Sequence, residues 1–271
     1  MGKVWFVGAG PGAPDLITVR GSRLLAEAGA ILYTGSLVAE TVLEWASEDC
    51  DIADSKSMSL DQVTDWLLDR ASRHETVVRL QTGDPTLYGV VAELARPLDA
   101  AGIPVGIVSG VSSAMASAAA AGESLTLPEV TQTVIFTRLS ERTRMPETES
   151  FVSLAAHGCT LCIFLSIERI EMVVEKLGEA GWSSTAPVVV VHKATWPGEE
   201  RILRGTLKDI AARCRAEGID RQALILVSPA LGARGRIGAQ TSKLYDAAFP
   251  RRFRPERLPG EAAEDPASDA N

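Results

Sequence analysis

Three short loops combine glycine with polar side chains in a way that could hold a small molecule. They are "GAGPGAPD" from Gly8, "TGDPTLYG" from Thr82 and "VSGVSSAMAS" from Val108. Glycine lets a backbone approach a ligand closely, and carboxylates and hydroxyls exchange hydrogen bonds with it. The second loop follows a buried strand at its carboxyl end, where open α/β sheets bind ligands. An ordinary turn in which Asp84 caps a helix is the alternative interpretation of that loop.

The first loop superficially fits the dinucleotide pattern G-x-G-x-x-[GA]. Pro11 and Pro14 remove amide donors, however, and keep the loop extended until Asp15 or Thr18 can cap the next helix. The second strand, "AILYTGSL", also offers no acidic residue for a ribose. Both features disfavour a nicotinamide or flavin site.

The third loop lacks the last glycine of a hydrolase nucleophile elbow. A triad of Ser112, an aspartate and His192 has no specific support, although the sequence leaves it open. No spacing of ligating side chains indicates a metal site. Cys159 and Cys162 form a C-x-x-C in "GCTLCIFLS", which is the pattern of a buried strand, so we interpret them as core cysteines.

Residues 128–144, "PEVTQTVIFTRLSERTR", predict a strand with an unusual number of polar side chains. We expect Arg138, Arg142 and Arg144 to line a cleft for a polyanionic ligand. The alternative is a solvated arginine loop beside a strand with one wet face.

Composition limits the ligands that such a cleft could take. The chain has 271 residues, 46% of them apolar and 23% charged, and its formal charge is −8. A negative chain does not suit non-specific binding to nucleic acid or anionic membranes. A single Lys3 before the short run "VWFVG" does not resemble a signal peptide, and no apolar stretch approaches the roughly 20 residues that cross a bilayer. We therefore expect a cytoplasmic protein.

The elements that position these loops alternate between apolar strands and amphipathic helices, which predicts mostly parallel sheets covered by helices. The segment "AAAAGESLTLPE" interrupts the pattern. We predict an N-terminal domain over residues 1–117, a linker over 118–129 and a second domain over 130–234. The segment 235–271 is rich in proline and charge, and we expect it to be disordered.

Four segments together resemble one family: "GAGPGAPDLITVRG", "TGDPTLYG", "VSGVSSA" and "VVVVHKATWPGEE". They are similar, in order and over about residues 3 to 232, to the tetrapyrrole (corrin/porphyrin) methylases. That family transfers methyl groups from S-adenosylmethionine to ring carbons of cobalamin and sirohaem precursors. "PEVTQTVIFTR" resembles the branch that methylates precorrin-4 at ring carbon 11 in cobalamin biosynthesis.

The resemblance implies a fold, a cofactor and a substrate. The fold is two α/β domains with mixed sheets and a cofactor trough between them, unlike Rossmann methyltransferases. The cofactor is S-adenosylmethionine, the substrate is a polycarboxylate tetrapyrrole, and a homodimer is expected. Metal-free precorrin-4, its cobalt form and another ring carbon (2, 17 or 20) remain open, with a weak preference for the metal-free form. A tetrapyrrole carrier without chemistry is the alternative from another class.

The resemblance also assigns residues. Asp84 matches a position near the methionine moiety, and Leu165 and Ala194 match positions around the adenine, where some relatives have methionine and glycine. The cofactor set is Pro11, Thr82, Gly83, Asp84, Leu87, Ser112, Ser113, Leu165 and Ala194. The substrate set is Gly10, Pro11, Gly12, Asp15, Thr131, Gln132, Thr133 and Arg138. We assign no catalytic residue, because methyl transfer from a sulfonium mainly requires alignment of donor and acceptor.

Overall fold

The computed structural model describes residues 2–140, 143–235 and 242, and it has two α/β domains. Arg142 and the predicted disordered segment, apart from Gly235 and Ser242, lie outside the described residues. Within the described ranges, no helix has the length and apolarity needed to cross a membrane.

The first domain is built on a sheet whose strands all pair in parallel. Its strands are β1 (Lys3–Gly8), β2 (Ala30–Tyr33), β3 (Asp51–Asp54), β4 (Thr76–Gln81) and β5 (Val105–Val108), in the order β3-β2-β4-β1-β5. Its helices are α1 (Val19–Glu27), α2 (Leu60–Ala71) and α3 (Val91–Ala100). Apolar clusters cover both faces of this sheet, one including Leu25 of α1 and the other Leu67 of α2 and Leu94 of α3.

The second domain has a mixed sheet. Its strands are β6 (Val134–Arg138), β7 (Thr160–Phe164), β8 (Pro187–His192), β9 (Arg201–Thr206) and β10 (Ala223–Val227), in the order β6-β7-β10-β8-β9. Only β6 and β7 pair in parallel. The helices are α4 (Ser113–Ala120), α5 (Phe151–Ala155), α6 (Ile170–Glu179) and α7 (Ile210–Ala216). The two α/β domains that the resemblance implied are confirmed.

Helix α4 packs on the second sheet although it begins before residue 117. Its Ala114 and Ala118 share a buried cluster with Val189 of β8 and Leu226 of β10. The domain ranges given by the sequence stay a prediction. The packing of α4 places this helix with the second domain. Small alanine side chains allow the helix to approach the sheet closely.

Local capping explains where the first helices begin. The Thr18 hydroxyl accepts a hydrogen bond from the Gly21 N–H at 3.1 Å, so Thr18 caps α1 and Asp15 does not. Ser59 and Gln62 form a reciprocal capping box at α2. These side chains satisfy amide groups that have no partner within the helix.

One predicted strand was wrong in its bounds. The strand expected over residues 129–138 begins at Val134, because the chain first turns back: Thr131 N–H donates to the Leu127 carbonyl at 3.0 Å, and Glu129 has a φ of 60°. Glu40–Trp45 form a short 3-10 helix between β2 and β3. The core interpretation of Cys159 and Cys162 is confirmed, since both are free and buried.

Candidate functional site

A cavity of about 320 Å³ lies between the two domains. We call it the interdomain cavity. Its wall includes the end of β4 and the loop that follows it to Val90, the start of α4, residues that follow β7 and β8, and the start of β10. Its size falls in the usual range of small-molecule sites. The carboxyl end of a parallel strand contributes one wall, as in other open α/β sheets.

All nine residues of the predicted cofactor set line this cavity. They come from five segments that are far apart in the sequence: Pro11, Thr82, Gly83, Asp84, Leu87, Ser112, Ser113, Leu165 and Ala194. That these residues bind a cofactor stays a prediction.

Glycine brings the three loops of the first domain into backbone contact. Gly83 N–H donates to the Gly10 carbonyl at 2.8 Å, and Gly10 N–H donates to the Gly83 carbonyl at 3.3 Å. A Cβ at Gly110 would lie 2.0 Å from the Gly83 carbonyl oxygen. Any side chain at Gly110 would therefore push the second and third loops apart.

The Asp84 carboxylate joins the second loop to the third. Its Oδ1 accepts from the Thr86 N–H at 2.8 Å and the Thr86 hydroxyl at 2.5 Å, and its Oδ2 accepts from the Gly110 N–H at 3.0 Å. Burial opposes ionisation, but these hydrogen bonds outweigh it and keep the pKa of Asp84 below its ordinary value. Asp84 does not cap α3, whose N-cap residue is Val90.

Hydrogen bonds across the domain boundary fix the first loop against the second domain. The Trp196 indole N–H donates to the Pro11 carbonyl at 3.0 Å, and the Ala13 N–H donates to the Thr195 hydroxyl at 3.0 Å. Trp196 also lines the cavity and packs on Gly12, where an added Cβ would lie 2.2 Å from the indole ring. Trp196 therefore serves both as an interface residue and as a wall of the cavity.

Strained backbone is concentrated around the cavity. Among the described residues, seven other than glycine have positive φ, and five of them line the cavity: Tyr88, Val90, Leu165, Lys193 and Gln222. The φ of 48° at Val90 is costly for a β-branched residue. Such strain is retained where the surrounding structure fixes it, commonly at ligand sites.

The predicted substrate set is mostly outside the cavity lining. Pro11 is its single member among the lining residues, and Gly10 and Gly12 are its neighbours in the chain. Asp15, Gln132 and Thr133 are exposed on the surface. Thr131 is buried, and its hydroxyl donates to the Thr133 carbonyl at 3.4 Å.

Arg138 organises the loop that leaves β6. Its guanidinium donates to the carbonyls of Leu139 and Thr143, both at 3.0 Å, and to that of Arg144 at 3.4 Å. Burial raises the pKa of the Tyr88 hydroxyl, and the positive charge of Arg138 lowers it. Because Tyr88 lines the cavity, the Arg138 charge lies near that wall. Substrate binding by Arg138 and the rest of the predicted substrate set stays a prediction.

Sequence reasoning missed three buried polar residues of the cavity wall, Arg79, Gln81 and Ser117. Their exposed fractions are 6%, 6% and 0%. The signal was present in "TVVRLQTG", where an arginine and a glutamine interrupt a buried strand at period two, directly before the second loop. Treating that run as apolar concealed both residues.

The structure gives no support to a hydrolytic triad. The Ser112 hydroxyl accepts from the Ala114 N–H at 3.3 Å and caps α4. His192 does not line the cavity, and its ring nitrogen lies 3.5 Å from the Arg201 guanidinium. Burial, together with Arg201 and Lys193, lowers the pKa of His192.

Two curated proteins are similar to this chain over nearly all of it. The cobalt-precorrin-4 C(11)-methyltransferase of Methanocaldococcus jannaschii is 45% identical over 252 residues, which is 93% of this chain and 96% of that protein. The precorrin-4 C(11)-methyltransferase of Pseudomonas aeruginosa is 43% identical over 252 residues, covering 93% of this chain and 98% of that protein.

Solved structures and a family profile agree with these relatives. An X-ray structure of a cobalamin biosynthetic enzyme, cobalt precorrin-4 methyltransferase, has a TM-score of 0.81 and 44% identity, covering 84% of this chain and 95% of that one. The uroporphyrin-III C-methyl transferase of Thermus thermophilus, complexed with S-adenyl homocysteine, has a TM-score of 0.69 and 29% identity over 85% of this chain and 99% of its own. The profile described as Tetrapyrrole (Corrin/Porphyrin) Methylases matches residues 3–211. This chain belongs to the tetrapyrrole methylase family.

Proposed function

We propose that this protein transfers a methyl group from S-adenosylmethionine to carbon 11 of precorrin-4, as its relatives are named for doing. The observation that carries the proposal is the convergence of all nine predicted cofactor residues on one cavity between the domains. Five segments that are far apart in the sequence meet at this cavity, which supports the proposal.

The residues present fit S-adenosylmethionine. Leu165 is 66% exposed at the cavity and Ala194 lines the same wall, which gives an apolar surface for an adenine ring. The buried polar atoms Arg79 Nε, Gln81 Oε1 and Ser117 Oγ have no partner among the described residues, although all three residues line the cavity. Buried polar atoms are seldom left unpaired, and the presence of three in the wall of one cavity supports a polar ligand there.

When bound, S-adenosylmethionine supplies an activated methyl group on a sulfonium sulfur. The enamine-like ring carbon would provide the electron pair for the new carbon–carbon bond, the sulfur would keep the pair of the broken carbon–sulfur bond in S-adenosylhomocysteine, and a proton can leave the ring afterwards. The chain then has to align the donor and acceptor and exclude water. The backbone contacts among Gly10, Gly83 and Gly110 and the cover provided by Trp196 suit that role.

The acceptor is proposed to be metal-free precorrin-4. The cobalt form is the competing substrate, because relatives of both names match the chain, at 45% and 43% identity. Arg138, beside the Tyr88 wall, is proposed to face the carboxylates of the tetrapyrrole. Assembly as a homodimer stays a prediction that light scattering can check.

The test is methylation of enzymatically generated precorrin-4 and cobalt-precorrin-4, with a donor that carries a ¹³C-labelled methyl group. We expect one added methyl at carbon 11 by mass spectrometry and NMR, and faster transfer to the metal-free substrate. Methylation at another carbon would contradict the assigned position. A protein that binds S-adenosylhomocysteine and tetrapyrrole but transfers nothing would be a carrier.

A further inference from the structure

Arg79 is a buried cation at the wall of the interdomain cavity. It lies on β4, and only 6% of its surface is exposed. No carboxylate among the described residues lies within ion-pair distance of its guanidinium. A buried charge is costly unless it is paired, so its retention here requires an explanation.

The known hydrogen bonds of Arg79 satisfy only part of its donors. Its Nη1 donates to the Ser55 hydroxyl at 2.8 Å and the Leu32 carbonyl at 3.3 Å, and its Nη2 donates to the Thr34 hydroxyl at 3.0 Å. These bonds hold the guanidinium in place against the end of β2. The Nε–H is buried without an acceptor among the described residues.

The nearest acidic group is already engaged elsewhere. Asp54 accepts from the Gly35 N–H at 2.8 Å and the Lys56 N–H at 2.9 Å, and it pairs with the Lys56 ammonium at 3.2 Å. Burial lowers the pKa of Arg79 to about 10, and Asp54 acts only in the opposite direction. At neutral pH the guanidinium is therefore still charged and faces the cavity without a counter-ion of its own.

We infer that Arg79 is a fixed binding residue for a ligand carboxylate inside the cavity. Neutral hydroxyl and carbonyl partners orient the guanidinium and take three of its five N–H donors, so its positive charge and the remaining Nη2 hydrogen are left for the ligand. Gln81, two residues along the same strand face, also lines the cavity. This inference rests on the proposed function and extends it to a residue outside the predicted set.

Two reactants of the proposed reaction carry carboxylates. S-adenosylmethionine has one at its methionine end, and the tetrapyrrole has several on its acetate and propionate side chains. Arg79 would recognise a carboxylate in both cases. Binding measurements with ligands that carry or lack each carboxylate separate the donor from the tetrapyrrole.

The test compares Arg79→Gln and Arg79→Lys with wild type, and uses Arg96→Gln on the exposed side of α3 as the matched control. Affinities are measured by calorimetry for S-adenosylhomocysteine, for its decarboxylated analogue and for the octacarboxylate uroporphyrin III. Circular dichroism and thermal unfolding confirm that each variant is folded. If Arg79→Gln does not fold, Arg79→Lys carries the same comparison.

We expect Arg79→Gln to weaken one carboxylate ligand by about ten- to hundredfold, with a smaller loss in Arg79→Lys, which keeps the charge. A loss for S-adenosylhomocysteine that disappears with the decarboxylated analogue assigns the donor carboxylate. A loss for uroporphyrin III alone, with a raised KM for the tetrapyrrole, assigns a substrate carboxylate. Arg96→Gln should change none of these values.

Unchanged affinities in folded Arg79 variants would overturn the inference. Equal losses for the carboxylated and decarboxylated ligands, without a change in uroporphyrin III binding, would also overturn it, because they indicate a purely structural role. Failure of wild type to bind S-adenosylhomocysteine is a separate result, since it contradicts the proposed function itself.

Discussion

Strands β4 and β8 are both buried along nearly their whole length, yet their side chains differ. Strand β8, "PVVVVH", has four consecutive valines, which pack alternately on the two faces of the second sheet. Strand β4, "TVVRLQ", places Arg79 and Gln81 in positions that are equally buried. Both strands lie between two neighbours in their sheets. The difference therefore does not come from position at a sheet edge.

The valines of β8 serve packing, with Val191 also lining the cavity, whereas β4 supplies buried polar side chains to the cavity wall. Apolar side chains gain free energy at each of the four valine positions of β8. The polar side chains of β4 lose that gain and leave Arg79 Nε and Gln81 Oε1 without partners among the described residues. Natural sequences retain such local conflicts mainly at functional sites. Substitutions in and beside the two strands should therefore separate stability from activity.

The largest effect is expected for Gly110→Ala, which lies just after β5 and contacts the loop that leaves β4. The new Cβ would overlap the Gly83 carbonyl oxygen, so the second and third loops must separate. A displacement of about 1 Å at a positioning site lowers rates by roughly a hundredfold, and we expect at least that loss in kcat/KM. Steady-state methylation assays measure it.

The matched control for this change is Gly178→Ala in α6. No atom lies within 4 Å of a Cβ placed there, and alanine is the better helix former. We expect unchanged kcat/KM and equal or higher stability. Equal activity in Gly110→Ala and Gly178→Ala would show that the loop contact does not position the reactants.

A large effect on stability alone is expected in β8, with Val190→Ala. Val190 is fully buried on the face away from the cavity, whereas Val191 lines the cavity. Removing two methyl groups from this core should lower the free energy of unfolding by about 2 kcal/mol, as measured by urea denaturation. Affinity for S-adenosylhomocysteine should not change, and a tenfold loss would contradict the separation of the two faces.

A smaller, pH-dependent effect is expected for Asp84→Asn. The amide keeps one acceptor oxygen but turns a donor toward the Thr86 or Gly110 N–H, which should cost about 1–2 kcal/mol of stability. Because the folded pKa of Asp84 lies below its ordinary value of 3.8, its contribution is complete above that pH and is lost as the pH falls through the folded value.

The difference in stability between wild type and Asp84→Asn should therefore shrink below about pH 3.8. Urea denaturation at pH 7 and at several acidic values measures it. Asp65→Asn on the exposed side of α2 is the control and should show no such trend. A difference that stays constant with pH would mean that ionised Asp84 does not hold the loops together.

The smallest effect on stability is expected for Arg79→Met, which gives β4 the apolar character of β8. Removal of an unpaired buried charge is favourable, whereas Ser55 and Thr34 lose a donor. These terms oppose each other, so the free energy of unfolding should stay within about 1 kcal/mol of wild type. Chemical denaturation measures it. A loss greater than that of Val190→Ala would show that Arg79 is mainly structural.

The loops that line the cavity could be predicted because they are short and have strong local signals. Gly83 and Gly110 are required by backbone contacts, and Asp84 by hydrogen bonds within a few residues and to the neighbouring loop. The residues around Arg138 were less predictable. Their polar pattern suggested a strand over residues 129–138, but the turn between Leu127 and Thr131 delays the strand until Val134.

The sequence by itself determined the alternation of strands and helices, the glycine loops and the family, because these depend on local periodicity and short motifs. Only the tertiary structure decided that α4 packs on the second sheet, that Trp196 closes over Gly12, and that Arg79 lies in the cavity wall without a carboxylate partner among the described residues. Those facts depend on contacts between residues that are far apart in the sequence, from 24 positions for Arg79 and Ser55 to 185 for Trp196 and Pro11. No local pattern specifies such contacts, since they arise only when the elements pack together.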